Sequence, residues 1–158
     1  MKPLHIFRIV LVVLAAAAGI YRGCNRDSSS NRKVTESGET AYMRPVDDPA
    51  LEAAAKLARE KWPEFVNALS LRQPDLSFSV KVPLATKAGS TEHIWVSVDS
   101  VDGNTIRGTL ANDPFEDIGY KNGDPISVQA DIIEDWIINK RGKLIQGGFS
   151  LEILRNTK

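Results

Sequence analysis

Seven apolar residues, Leu51, Ala54, Ala55, Ala58, Trp62, Phe65 and Leu69, recur at spacings of three and four. That periodicity predicts one amphipathic helix with a single buried stripe. Asp48 followed by Pro49 supplies its start, a side-chain acceptor at the N-cap and a proline whose missing N–H costs nothing in the first turn. Glu52, Lys56 and Glu60 fall four apart on another side, where they pair weakly in solvent. Pro63 predicts a kink or restart near Trp62. Beyond residue 75 the period changes to two. Phe78, Val80 and Val82 alternate with Ser79 and Lys81, and Ile94, Val96 and Val98 alternate with His93, Trp95 and Ser97. Both read as half-buried strands, with LATKAGST as a long hairpin loop between them. Asp102, Gly103 and Asn104 provide a tight turn before Ile106, predicting a meander of residues 92–101 with 105–111. Ile126 and Val128 make a short strand, Ile132 to Ile138 another, and Phe149 to Leu154 a last one. The fold class expected is α+β: one N-terminal helix, kinked near Pro63, packed on a curled antiparallel sheet of about five to six short strands, with a barrel-like closure left open.

The first residues follow different rules. Residues 2–24, KPLHIFRIVLVVLAAAAGIYRGC, place basic residues before an apolar run from Ile9 to Tyr21, the layout of a secretory signal. The run is shorter than the ~20 residues a membrane-spanning helix needs. Gly23 before Cys24 has the layout of a bacterial lipoprotein processing site, which would acylate Cys24, although Arg22 stands where that site carries a small uncharged residue. Residues 1–24 are therefore a signal peptide, a lipoprotein signal or a retained anchor. Each places the domain outside the cytoplasm, periplasmic or membrane-tethered, with contact to the membrane through this segment only. Residues 25–43 are polar and cannot bury enough surface to offset chain entropy, which predicts a flexible linker. Residues 44–158 remain for a single domain.

Composition narrows the function. With 42% hydrophobic and 25% charged residues the chain has globular composition. Formal charge is zero, but Lys2, Arg8 and Arg22 precede Cys24, so the rest carries 17 basic against 20 acidic residues. No basic stretch with interleaved aromatics follows residue 33, which argues against nucleic acid as a partner. Cys24 is the single cysteine, so there is neither an internal disulfide nor a cysteine-based zinc cluster. Metal binding would rest on His93 and carboxylates alone, and no metal or cofactor is expected.

At EHIWVSV, GTLANDP, GDPISV, IEDW and GGFS the chain resembles the YegJ-like family of uncharacterised bacterial proteins. The resemblance covers roughly residues 44–155, including the Ala-rich helix and FSVKVP. It implies one small α+β domain in secreted or lipoprotein-like contexts, and it brings no reaction or catalytic residues.

Four positions stand out as candidate binding residues: His93, Trp95, Asp135 and Trp136. His93 is the one histidine outside the leading segment and shares a strand face with Trp95 and Ser97. As a general base it would need an orienting carboxylate. Asp135, between Ile133 and Ile137, reads as a carboxylate capping backbone N–H groups of a neighbouring turn. Ile132, Glu134 and Trp136 are expected to face the other way. Asp113, Glu116, Asp117 and Asp124 depart from the spacing of a calcium loop and read as turn formers. Gly147 and Gly148 predict a bulge or a close backbone approach, and SLEIL offers no helix N-terminus after them for a phosphate. Lys81 reads as a surface residue that pairs with Glu92 or with a partner. Ser97 lacks the setting of an activated nucleophile.

The reading that best fits these residues is a non-catalytic binding domain, tethered to or exported across the membrane, whose partner is another protein met through Trp95 and Trp136. The alternatives are a small hydrolase or lyase using His93 with a carboxylate such as Asp135, and an immunity-type protein that neutralises a toxin.

Overall fold

A computed structural model describes residues 48–155, and before them only the backbone of three strand segments, Arg8–Val13, Arg32–Val34 and Thr40–Pro45. The signal or anchor at 1–24, Cys24 with it, and the linker at 25–43 otherwise lie outside the described residues.

Two helices come first in the described domain: α1 (Pro49–Glu60) and α2 (Trp62–Ser70). Asp48 caps α1, its carboxylate accepting from the Ala50 N–H at 2.9 Å. Pro63 lacks an N–H and its ring would clash with the carbonyl four residues back. The helix therefore ends at Lys61, whose N–H still reaches the Leu57 carbonyl, and a second one restarts with Pro63 in its first turn. Of the kink or restart expected near Trp62 the restart forms, so the one N-terminal helix expected is instead two helices, and they follow the earlier strand segments.

Strands β1 (Leu76–Ala85), β2 (Thr91–Asp102), β3 (Thr105–Leu110), β4 (Pro125–Gln129), β5 (Asp135–Lys140) and β6 (Lys143–Gly147) come next, with a 3₁₀ turn at Ala130–Ile132. They form one antiparallel sheet in the order β4-β3-β2-β1-β5-β6. Register breaks between Val98 and Ser100, a bulge that bends the long β2. The barrel-like closure does not form: β4 pairs only with β3 and β6 only with β5, leaving two separate edges.

Opposed residues fix the two faces. Val80 lies opposite Val96 and Trp136, Phe78 opposite Ile138, and Val82 opposite Ile94, so one face is continuous and apolar. Ala58 and Phe65 bring the helices onto it, and Phe65 meets Phe78 and Trp136 with ring centroids 5.5 and 5.6 Å apart. The buried indole N–H of Trp136 donates to the Ala58 carbonyl at 2.8 Å, so the helix is hydrogen-bonded as well as packed onto the sheet.

The last segment departs from expectation. Phe149–Arg155 is a helix, α3, and no strand. Gly147 has φ +79° and its missing Cβ would sit 2.0 Å from the Trp136 carbonyl, so the chain leaves β6 by a turn open only to glycine. The Gly148 N–H then bonds the same carbonyl at 2.8 Å, and α3 begins.

Candidate functional site

The face of the sheet opposite the helices is lined by polar residues at its centre. Lys81 lies between Asp135 on β5 and Trp95 on β2, and His93 follows one pleat along, opposite Pro83. His93, Trp95 and Asp135 thus share one face, while Trp136 points the other way into the core. All four are buried, as is Lys81, which is 2% exposed.

Each of these groups has a specific commitment. Asp135 accepts from the N–H groups of Trp136 (2.8 Å), Phe149 (3.1 Å) and Ser150 (2.8 Å) and from the Ser150 hydroxyl (2.6 Å). It is the N-terminal cap of α3, so that helix terminus is already filled. Burial raises its pKa, and the Ser150 bonds and the Lys81 charge pull against that rise. His93 Nδ1 is hydrogen-bonded to Glu134 Oε2. The carboxylate on His93 is therefore Glu134, not Asp135. Glu134 escapes the strict alternation expected of it because a 3₁₀ turn precedes β5, which starts only at Asp135. Burial depresses the Lys81 amine to about 8, against the opposing pull of Glu134 and Asp135. No carboxylate stands within ion-pair distance of it among the described residues.

Glu92 is not the partner of Lys81. It stands on the helix-bearing face opposite Leu84, where its carboxylate accepts from the N–H groups of Phe115 (2.7 Å) and Glu116 (3.0 Å). Burial raises its pKa, and these two bonds oppose the rise. Trp95 is fixed through its backbone: its N–H donates to Asn112 Oδ1 at 3.0 Å.

The acidic loop closes on itself. Glu116 accepts from the Ser90 hydroxyl, Asp117 pairs with Lys87 at 2.8 Å and accepts from the Gly119 N–H, and Asp124 accepts from the Lys121 N–H. No group of three or more His, Cys, Asp or Glu side chains among the described residues is placed to hold a metal ion.

A second locus lies at the α1–α2 elbow, where Arg59, Trp62, Gly103, Asn104, Ala130 and Asp131 line an open cleft of about 390 Å³. One face of the Trp62 ring stacks on Phe65, at 4.7 Å between centroids and 15° between planes. Trp62 is half-buried against the core and also lines the cleft. Arg59 spends one N–H on the Ile133 carbonyl at 2.8 Å, and Asn104 spends its amide N–H on Gln129 Oε1 at 3.1 Å. The Asn104 backbone carbonyl accepts from the Ala130 N–H at 2.8 Å, which leaves further Arg59 donors, the Asn104 side-chain Oδ1 and the exposed Asp131 carboxylate unused among the described residues. The helical stripe marks Trp62 in sequence, but nothing there joins it to Asn104 and Asp131, which arrive from a hairpin turn and the 3₁₀ turn.

Residues 48–157 match the family described as "Uncharacterized protein conserved in bacteria (DUF2314)". Among curated proteins, the chain is similar to a "Putative ankyrin repeat protein" of Neisseria meningitidis serogroup B, 31% identical over 121 residues. The match covers 72% of this chain and 47% of that protein, so the chain spans about half the length of the relative. No solved structure matches significantly.

Proposed function

The chain belongs to the DUF2314 family of proteins conserved in bacteria, and from that premise we propose that it is a non-catalytic binding domain whose contact site is the α1–α2 elbow cleft. Within the family we place it in a YegJ-like branch, on the order and spacing of EHIWVSV, GTLANDP, GDPISV, IEDW and GGFS. The observation that carries the reading is how polar groups are used. On the sheet face Asp135 is bound by α3 and His93 by Glu134, and both are buried. At the elbow, an aromatic wall, a cation, an amide oxygen and a carboxylate converge on one concavity with bonding capacity to spare. The basic and apolar order of residues 2–24 supports an exported or membrane-tethered location.

The test is site-specific photo-crosslinking in cells that make the full chain, with the reactive residue at Asn104 and a control at Lys56. A distinct adduct from 104, lost when Trp62→Ala is added, is the expected result. The same adduct pattern from both positions refutes the contact site. Mass spectrometry of the mature N-terminus reads the location, since an acylated Cys24 or a new terminus there is expected and an intact Met1 in the soluble cytoplasmic fraction contradicts it.

A further inference from the structure

Charge among the residues lining the elbow cleft is balanced: Arg59 brings one positive group and Asp131 one negative, and Asn104 is neutral. An anion would face the Asp131 carboxylate and a cation would face the Arg59 guanidinium, so neither kind of ion is favoured over water. What the lining offers instead is an aromatic ring beside hydrogen-bond donors and acceptors. Trp62 is held rigid by its stack on Phe65, so the surface it presents needs no ordering when a ligand arrives. The Gly103 position leaves open space above the turn, with nothing within 4 Å of the point a Cβ would take. The backbone of the Asp102–Asn104 turn is therefore open to the cleft.

We infer that the elbow cleft binds an uncharged saccharide, and this rests on the reading of the cleft as the contact site. A sugar ring has one face of C–H bonds, which packs on an aromatic ring, and a rim of hydroxyl groups that each donate and accept. The unused Arg59 N–H groups donate to that rim, and the Asn104 oxygen and the Asp131 carboxylate accept from it. Because the cleft is open at the surface, it takes a unit within a longer glycan as readily as a free end.

Isothermal titration of the full chain with chitotetraose, cellotetraose and maltotetraose, and with a mixed-charge peptide of similar length, tests the inference. Saturable binding of at least one of the saccharides is expected. It should fall at least tenfold in Trp62→Ala and in the double variant Asn104→Ala, Asp131→Ala. The double variant removes only exposed side chains, so it keeps the test valid where Trp62→Ala loosens the stack on Phe65. No binding of any of the three sugars, or binding unchanged in the double variant, overturns the inference. Binding of the peptide alone, abolished by Trp62→Ala, also overturns it while leaving the contact site standing. Absence of both titration heat and a crosslink from Asn104 sinks both.

Discussion

Replacing Lys81 by Met should make the protein more stable. The amine is buried between Asp135 and Trp95 and titrates at about 8 in place of its ordinary 10.5. At about 1.4 kcal/mol for each tenfold change in proton affinity, holding it charged at neutral pH costs the folded state about 3 kcal/mol. The sign follows from proton binding. Below about 8 both states carry the proton and the cost is complete. Between 8 and 10.5 the folded protein has released the proton and the unfolded chain has not, so stability rises with pH, and the rise ends above 10.5. Methionine fills nearly the same volume with no charge. Some of the gain is returned, because the Lys81 charge helps hold Asp135 ionised. The expected net effect near pH 7 is therefore about 1–3 kcal/mol of stabilisation. Urea unfolding of wild type and Lys81→Met near pH 7 and near pH 10 reads it, the variant's advantage shrinking at the higher pH. If Lys81 were instead half of a strong buried ion pair, the variant would lose about 3–5 kcal/mol at pH 7. That loss, or a stability rise between pH 8 and 10 that persists in the variant, refutes the reasoning.

Two further outcomes follow from the end of the chain. Asp135→Ala leaves the Phe149 and Ser150 N–H groups and the Ser150 hydroxyl without their buried acceptor, and should cost about 3 kcal/mol in thermal or urea unfolding; Asp135→Asn, which keeps an acceptor, should cost less, and equal losses would contradict the cap. Gly147→Ala puts a Cβ 2.0 Å from the Trp136 carbonyl at φ +79°, so it should lower stability by at least about 2 kcal/mol. Gly142→Ala, in open space at φ +77°, should cost about 1 kcal/mol from backbone strain alone, and a comparable loss at the two positions would mean that contact with Trp136 is not what excludes a side chain.

Where local chemistry decides, the sequence is legible. The stripe from Leu51 to Leu69, the Asp48–Pro49 start and the alternation of Phe78, Val80 and Val82 all follow from neighbours within a few positions. The coarse α+β architecture follows from them. Phe149 to Leu154 misleads because Phe149, Leu151 and Ile153 alternate like a strand. The residue that makes the segment a helix is its cap, Asp135, which stands 15 positions before Ser150. β6 is short, with exposed residues from Lys143 to Gln146, and gives no burial period to read. Lys81 defeats the rule that lysines face water: its cross-strand neighbours, Trp95 and Asp135, are themselves buried, and no pattern within β1 tells of them. Glu134 reaches His93 only because a 3₁₀ turn resets the alternation before β5. The elbow cleft draws on three separate segments, and no local pattern ties them together.

The bond from the Trp136 indole to the Ala58 carbonyl spans 78 positions, and the one from Gln146 to Glu64 spans 82. While the chain is being made, α1 and α2 emerge before any strand of the six-stranded sheet, and β1 follows at once with Phe78 for Phe65 to pack on. The strand that bonds the helix through the Trp136 indole, β5, comes after four other strands of that sheet. A nascent chain therefore closes the α1–β5 contact late, over a long loop. Arrested chains that stop short of Trp136 should leave the amides of α1 in rapid exchange with solvent, and chains extended past Phe149 should protect them.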